Sequence, residues 1–80
     1  MTALHIEALK HAEQGNWDAA HDLVQDRNDT LSCLIHGYLH REEGDEFNAR
    51  YWYQRAGQSM PATSLNDELA RLYSMAQDAQ

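Results

Sequence analysis

A repeated turn constrains this chain more than any other feature. Gly15-Asn16-Trp17-Asp18-Ala19-Ala20 and Gly44-Asp45-Glu46-Phe47-Asn48-Ala49 each place a short polar residue after glycine and an alanine five residues after it. The two copies lie 29 residues apart. Glycine readily takes the left-handed backbone that ends a helix, and Asn or Asp accepts hydrogen bonds from the free amides that start the next. A period of this order is the sign of stacked helical hairpins. Between Gly15, Gly37, Gly44, Gly57 and Pro61, apolar residues recur at spacings of three and four, which is the helical period. No stretch alternates with period two for long enough to make a strand. The expected fold class is all-α.

Five helices follow in one domain, 1–80. The first two form a hairpin over about 3–27, with Leu4, Ala8, His11 and Ala12 on one face, then Asn16 as cap and Trp17, Ala20, His21 and Val24 as an inward stripe. The next two form a hairpin over about 30–57. The connection Gln58-Ser59-Met60-Pro61-Ala62 leads to a last helix over about 64–78, opened by Ser64 and Asp67 as a capping box. Its stripe is Leu65, Leu69, Leu72 and Ala76, with polar residues opposite. A helix apolar on one side suits a capping element. Connections this short make consecutive helices antiparallel neighbours.

The spacing of Gly37, Gly44-Asp45, Ala49, Tyr53, Ala56 and Pro61 resembles the tetratricopeptide repeat. Ala8, Gly15-Asn16-Trp17-Asp18 and Ala20 resemble it again in the first unit. Ala49 to Ala56, with Trp52-Tyr53 between, is similar to the Sel1-like signature. The segments Trp17 to His21, His36 to Arg41 and Asn48 to Tyr53 also resemble a group of small bacterial helical proteins, which implies no activity. The repeat resemblance implies stacked hairpins and a protein-binding role. The chain departs from that pattern in its offset, 29 against the usual 34 or so. Polar His11 and His40 also stand where large apolar residues are usual.

Charge narrows the partners. Thirteen acidic residues outnumber six basic ones, for a net charge of −7. Phosphate backbones and anionic membrane surfaces call for clustered Lys and Arg, so neither nucleic acid nor membrane is an expected partner. One cysteine, Cys33, forbids an internal disulfide, and Met1 to Gln14 shows no basic start followed by an apolar run. A cytoplasmic location is therefore expected.

Tyr51-Trp52-Tyr53 cannot share one face, because successive helical residues point about 100° apart. Ala49, Trp52, Tyr53 and Ala56 make an inward stripe, with Trp52 and Tyr53 expected in the core. Phe47, Tyr51 and Arg55 point the other way. Either the last helix covers that strip, or the strip meets a partner, and exposed aromatics beside Arg are the usual anchors of an interface.

Five histidines form the second candidate. His36 and His40 are one helical turn apart, a common way to present two imidazoles to a metal, and His21 faces inward on the preceding helix. The plain alternative is buried neutral histidines bonded to carbonyls, tyrosines or carboxylates. No nucleophile elbow or phosphate loop is present, and Cys33 beside His36 has no evident oxyanion partner. The third helix has two candidate inward faces, Cys33, His36, Gly37 and His40 on one side and Leu31, Leu34, Ile35 and Tyr38 on the other. Both are satisfied if that helix is central.

The function expected is a small non-catalytic protein–protein interaction module using Phe47, Tyr51 and Arg55, binding a protein partner or a second copy as a homodimer, with no cofactor. The alternative is a metal or small-ligand site of His21, His36 and His40.

Overall fold

A computed structural model describes residues 3–78. It contains five helices and no strand among the described residues: α1 (Ala3–Glu13), α2 (Trp17–Val24), α3 (Thr30–Glu42), α4 (Glu46–Arg55) and α5 (Leu65–Asp78). The two repeated turns form as expected. Gly44 has φ 82°, its amide bonds Arg41 O at 3.1 Å, and the Asp45 amide bonds His40 O at 2.9 Å. Those two bonds are a Schellman motif, which satisfies carbonyls the helix end would leave bare. Gly15 repeats it, with φ 83° and bonds from Gly15 to Ala12 and from Asn16 to His11.

Packing is most extensive within the pairs α3–α4 and α1–α2. α3 also touches α1, α2 and α5. Every residue from Ser32 to His40 is buried, so both candidate faces of α3 point inward and the helix is the axis of the fold. Leu34, Ile35, Leu39 and Tyr38 meet Leu9, Val24, Tyr53 and Leu72 in one core. Gly37 sets the α3–α4 distance: a Cβ there would lie 2.7 Å from Tyr53 Cδ2 and 3.2 Å from Ala49 O. A side chain there would have to displace the Tyr53 ring.

α5 departs from a simple lid on α4. It packs on α3 and α1, and its Tyr73 hydroxyl donates to Glu13 Oε1 at 2.9 Å, 60 residues away. Its tie to α4 is polar. Tyr53 OH donates to Glu68 Oε2 at 2.7 Å, and Arg71 donates to both Glu68 oxygens at 2.7 and 2.9 Å. Glu68 is 1 % exposed; a buried carboxylate needs partners of this kind. The α5 stripe is inward at Leu72 and Ala76, but Leu65 at the helix start is exposed. With α5 turned toward α1, the strip on α4 stays open. No described helix is long and apolar enough to cross a membrane.

Three local expectations need correction. Asn16 occupies the N-cap position of α2 but makes no side-chain capping bond. Asp29 and Asp45 do cap, accepting from Ser32 N at 3.1 Å and Asn48 N at 3.2 Å. The α1 face also differs: Leu9 and His5 are buried with Ala8 and Ala12, while Leu4 and His11 are only partly so. Finally, Trp52 is half-buried rather than core, for a reason that lies in the histidine cluster.

Candidate functional site

His21, His36 and His40 converge. His21 reaches inward from α2, while His36 and His40 sit one turn apart on α3. The Nε2 atoms of His21 and His36 are 3.0 Å apart, and one ring nitrogen of each of the three histidines lies within 4.8 Å of the others. The rings pack tightly. His36 and His40 stack at 5.0 Å between centroids, and His21 meets His36 edge-on at 4.6 Å.

Two tryptophans wall the cluster. Trp17 stacks on His21 at 4.7 Å, and its indole N–H donates to Leu39 O at 2.7 Å. Trp52 stacks on His36 at 3.8 Å. This contact draws Trp52 out of the apolar stripe and leaves its other edge to solvent. The sequence periodicity indicated only that Trp52 faces α3, and its neighbour there is polar.

A carboxylate completes the set. Glu43 Oε1 lies 2.6 Å from His40 Nδ1. An ionised Glu43 accepts a hydrogen bond from Nδ1–H, and in the neutral ring that tautomer has its lone pair on Nε2. Glu43 is one turn beyond His40, so an i, i+3 search outward from the histidines finds it. Glu43 and Asp45 form a second close group with His40, although Asp45 is already engaged as the α4 cap.

The environment disfavours the charged form of two of these rings, His36 and His21. Burial chiefly, then the neighbouring His21, His40 and Arg55, hold His36 down at about 3. His21 is lowered too, mainly by burial and then by His40. An imidazole with no charge is both a good aromatic stacking partner and the form that coordinates metals. His36 Nδ1 is buried with no hydrogen-bond partner among the described residues, so the contact with His21 is that ring's polar tether.

His5 does other work. His5 Nε2 lies 2.8 Å from Asp29 Oδ2 and 2.9 Å from Ser32 Oγ, tying α1 to the start of α3. Burial pushes Asp29 up, but hydrogen bonds from the Ser32 amide and hydroxyl, and then from His5, outweigh it and hold the carboxyl at about 2. Ser, His and Asp are together here, but Ser32 and Asp29 share one histidine nitrogen and bond each other at 2.9 Å. A relay needs them on opposite ring nitrogens. Cys33 is buried, and burial pushes its thiol up, away from the thiolate.

The α4 strip is the other candidate. Phe47 is 81 % exposed and Tyr51 48 % exposed. Phe47, Arg50, Tyr51 and Gln54 line one shallow surface hollow. Arg55 is held in place rather than waving in solvent. Its guanidinium lies 4.9 Å from the Trp52 ring centre and donates to Tyr51 OH at 3.2 Å and Asn28 Oδ1 at 2.8 Å. Trp52 thus carries His36 against its ring and Arg55 over it, and it links the two sites.

In comparisons with known proteins, the chain matches no protein-family model, no curated protein and no solved structure.

Proposed function

We propose that this protein is a small, non-catalytic protein–protein interaction module, built as tetratricopeptide-like helical hairpins, that binds through Phe47, Tyr51 and Arg55. One observation carries this reading. Among the described residues, the most exposed large hydrophobic side chain, Phe47, and the exposed Tyr51 lie one turn apart on α4, on a strip that no other described helix covers. An aromatic left in water forfeits roughly 1.5–3 kcal/mol of burial, and a chain this small has little stability to spare. A docking partner recovers that energy. Arg55, clamped on Tyr51 and Asn28, gives the strip a cationic edge with little rotamer entropy left to lose on binding. In a chain of net charge −7, such an edge favours an acidic partner surface, and a second copy is the simplest protein that offers one.

The test is molar mass by light scattering after gel filtration, across a range of concentrations, for wild type, Phe47→Glu and Tyr51→Glu. The expected result is a concentration-dependent dimer that both variants convert to monomer. A wild type that stays monomeric at every concentration removes self-association. Variants that still dimerise would place the interface elsewhere.

A further inference from the structure

We propose that His21, His36 and His40 form a binding site for a divalent transition-metal ion of borderline softness, with zinc as the reference ion. The inference goes beyond the interaction surface and does not rest on it.

Geometry carries it. Imidazole nitrogens bind zinc at about 2.0–2.1 Å, so two of them subtending about 90–110° at the ion stand about 2.9–3.4 Å apart. The Nε2 atoms of His21 and His36 are 3.0 Å apart, inside that window before any ion is added. The third histidine is within 4.8 Å. Closing that side takes a shift of up to about 2 Å, within reach of the broad χ2 torsion of histidine. His21 is half-buried on the outer side of the cluster, which gives an ion an entrance.

Chemistry supports it. Three neutral nitrogens suit zinc, copper or nickel and not magnesium or calcium, which take oxygen ligands. Metal-bound histidines usually give their other N–H to a carboxylate, which fixes the tautomer and raises ligand basicity. Glu43 stands in that relation to His40, at 2.6 Å from Nδ1. A hydrogen bond between two Nε2 atoms requires one proton between them. Coordination by both rings moves that proton to Nδ1 of the ring that carried it, by tautomer exchange through solvent, and puts the ion in its place. Because His21 belongs to α2 while His36 and His40 belong to α3, the ion would staple one hairpin to the other. The stacked Trp17 and Trp52 would report its arrival optically. Three protein ligands also leave a coordination position for water or an exogenous ligand.

The experiment uses the full chain, stripped with chelator and titrated with Zn2+ by calorimetry and tryptophan fluorescence, then with Co2+ by visible absorption. Binding of a single ion with a dissociation constant at or below the micromolar range is expected, with a higher melting temperature and a Co2+ spectrum typical of low coordination number. His36→Gln and His40→Gln should abolish these signals, and His11→Gln, outside the cluster, should not. Glu43→Gln should weaken binding by about 10–100-fold. Circular dichroism checks each fold. If the cluster variants do not fold, the wild-type Co2+ spectrum and Glu43→Gln decide. A wild type that binds no ion, or folded His36→Gln that binds as wild type does, overturns the proposal. So does a Co2+ spectrum of six-coordinate aquo type.

Discussion

At the α1–α2 turn Gly15 has φ 83° and precedes Asn16; at the α3–α4 turn Gly44 has φ 82° and precedes Asp45. The helix-ending hydrogen bonds are the same. The side chains carried by that shared backbone are not. Asp45 caps its helix and Asn16 does not. Glu43 holds His40, while at the same offset Gln14 follows His11, whose Nδ1 is buried and unpartnered among the described residues. His36 stands where the first unit has Glu7, and Tyr53 where it has Val24. The second unit therefore bears most of the candidate-site residues, and the first contributes His21 and Trp17 to the histidine cluster. Repetition specifies the backbone; the substitutions within the repeat specify the chemistry.

The sharpest way to break the comparison is at Gly37, whose equivalent in the first unit is Ala8. Replacing a mid-helix glycine by alanine ordinarily gains about 0.5–1 kcal/mol. Here the new Cβ would meet the Tyr53 ring at 2.7 Å. Overpacking of this kind costs about 1–3 kcal/mol, so the clash wins. Gly37→Ala is expected to lower stability in urea unfolding. Adding Tyr53→Val, which imitates the first unit, should relieve part of the strain that alanine introduces. A double mutant whose losses simply add would mean that Tyr53 is not what excludes a side chain at Gly37.

Acid tests the histidine cluster next. His36 sits at about 3 in the fold, against 6.5 when exposed. The folded state excludes a proton that the unfolded chain takes up between those values, so stability is full above about pH 6.5 and declines as pH falls. By pH 5 the loss is about 2 kcal/mol. Asp29, at about 2 against 3.8, acts in the same direction but only below about pH 4. Chelated protein should therefore melt lower at pH 5 than at pH 7. His36→Phe should flatten that slope. Equal slopes in wild type and His36→Phe would show that the ring takes up its proton without cost.

The caps give the smallest contrast. Asp45→Ala should cost about 1 kcal/mol, the usual value of a lost N-cap bond. Asn16→Ala, which removes no such bond, should stay within a few tenths. Thermal unfolding of both at neutral pH is sufficient, and equal losses would mean that Asn16 caps α2 after all.

Much of the framework was legible because it is local. Gly15, Gly44 and Gly57 mark helix ends where the backbone requires φ > 0, and each has it. Ser64 accepts from Asp67 N at 3.0 Å, as the capping box implies. The convergence of His21, His36 and His40 was legible in part, since spacing puts two on one turn of α3 and the packing of the adjacent α2 brings the third. The missed residues depend on contacts distant in sequence. Trp52 reads as core by periodicity, yet its neighbour is His36. Glu68 falls at the spacing of the α5 stripe, four residues before Leu72, and nothing local shows that Tyr53 and Arg71 are the partners that let it be buried there.

Sequence alone determined the all-α class, the five helices and the two turns, because 3.6-residue periodicity, glycine stereochemistry and capping act within a few residues. Only the tertiary structure decided where α5 goes. Its apolar face fits against α3 and α1, and that choice buries Glu68, leaves Phe47 and Tyr51 in water and makes α3 the axis of the fold. A stripe of leucines states that a helix must be covered on one side, and the shape of the remaining surface decides by what.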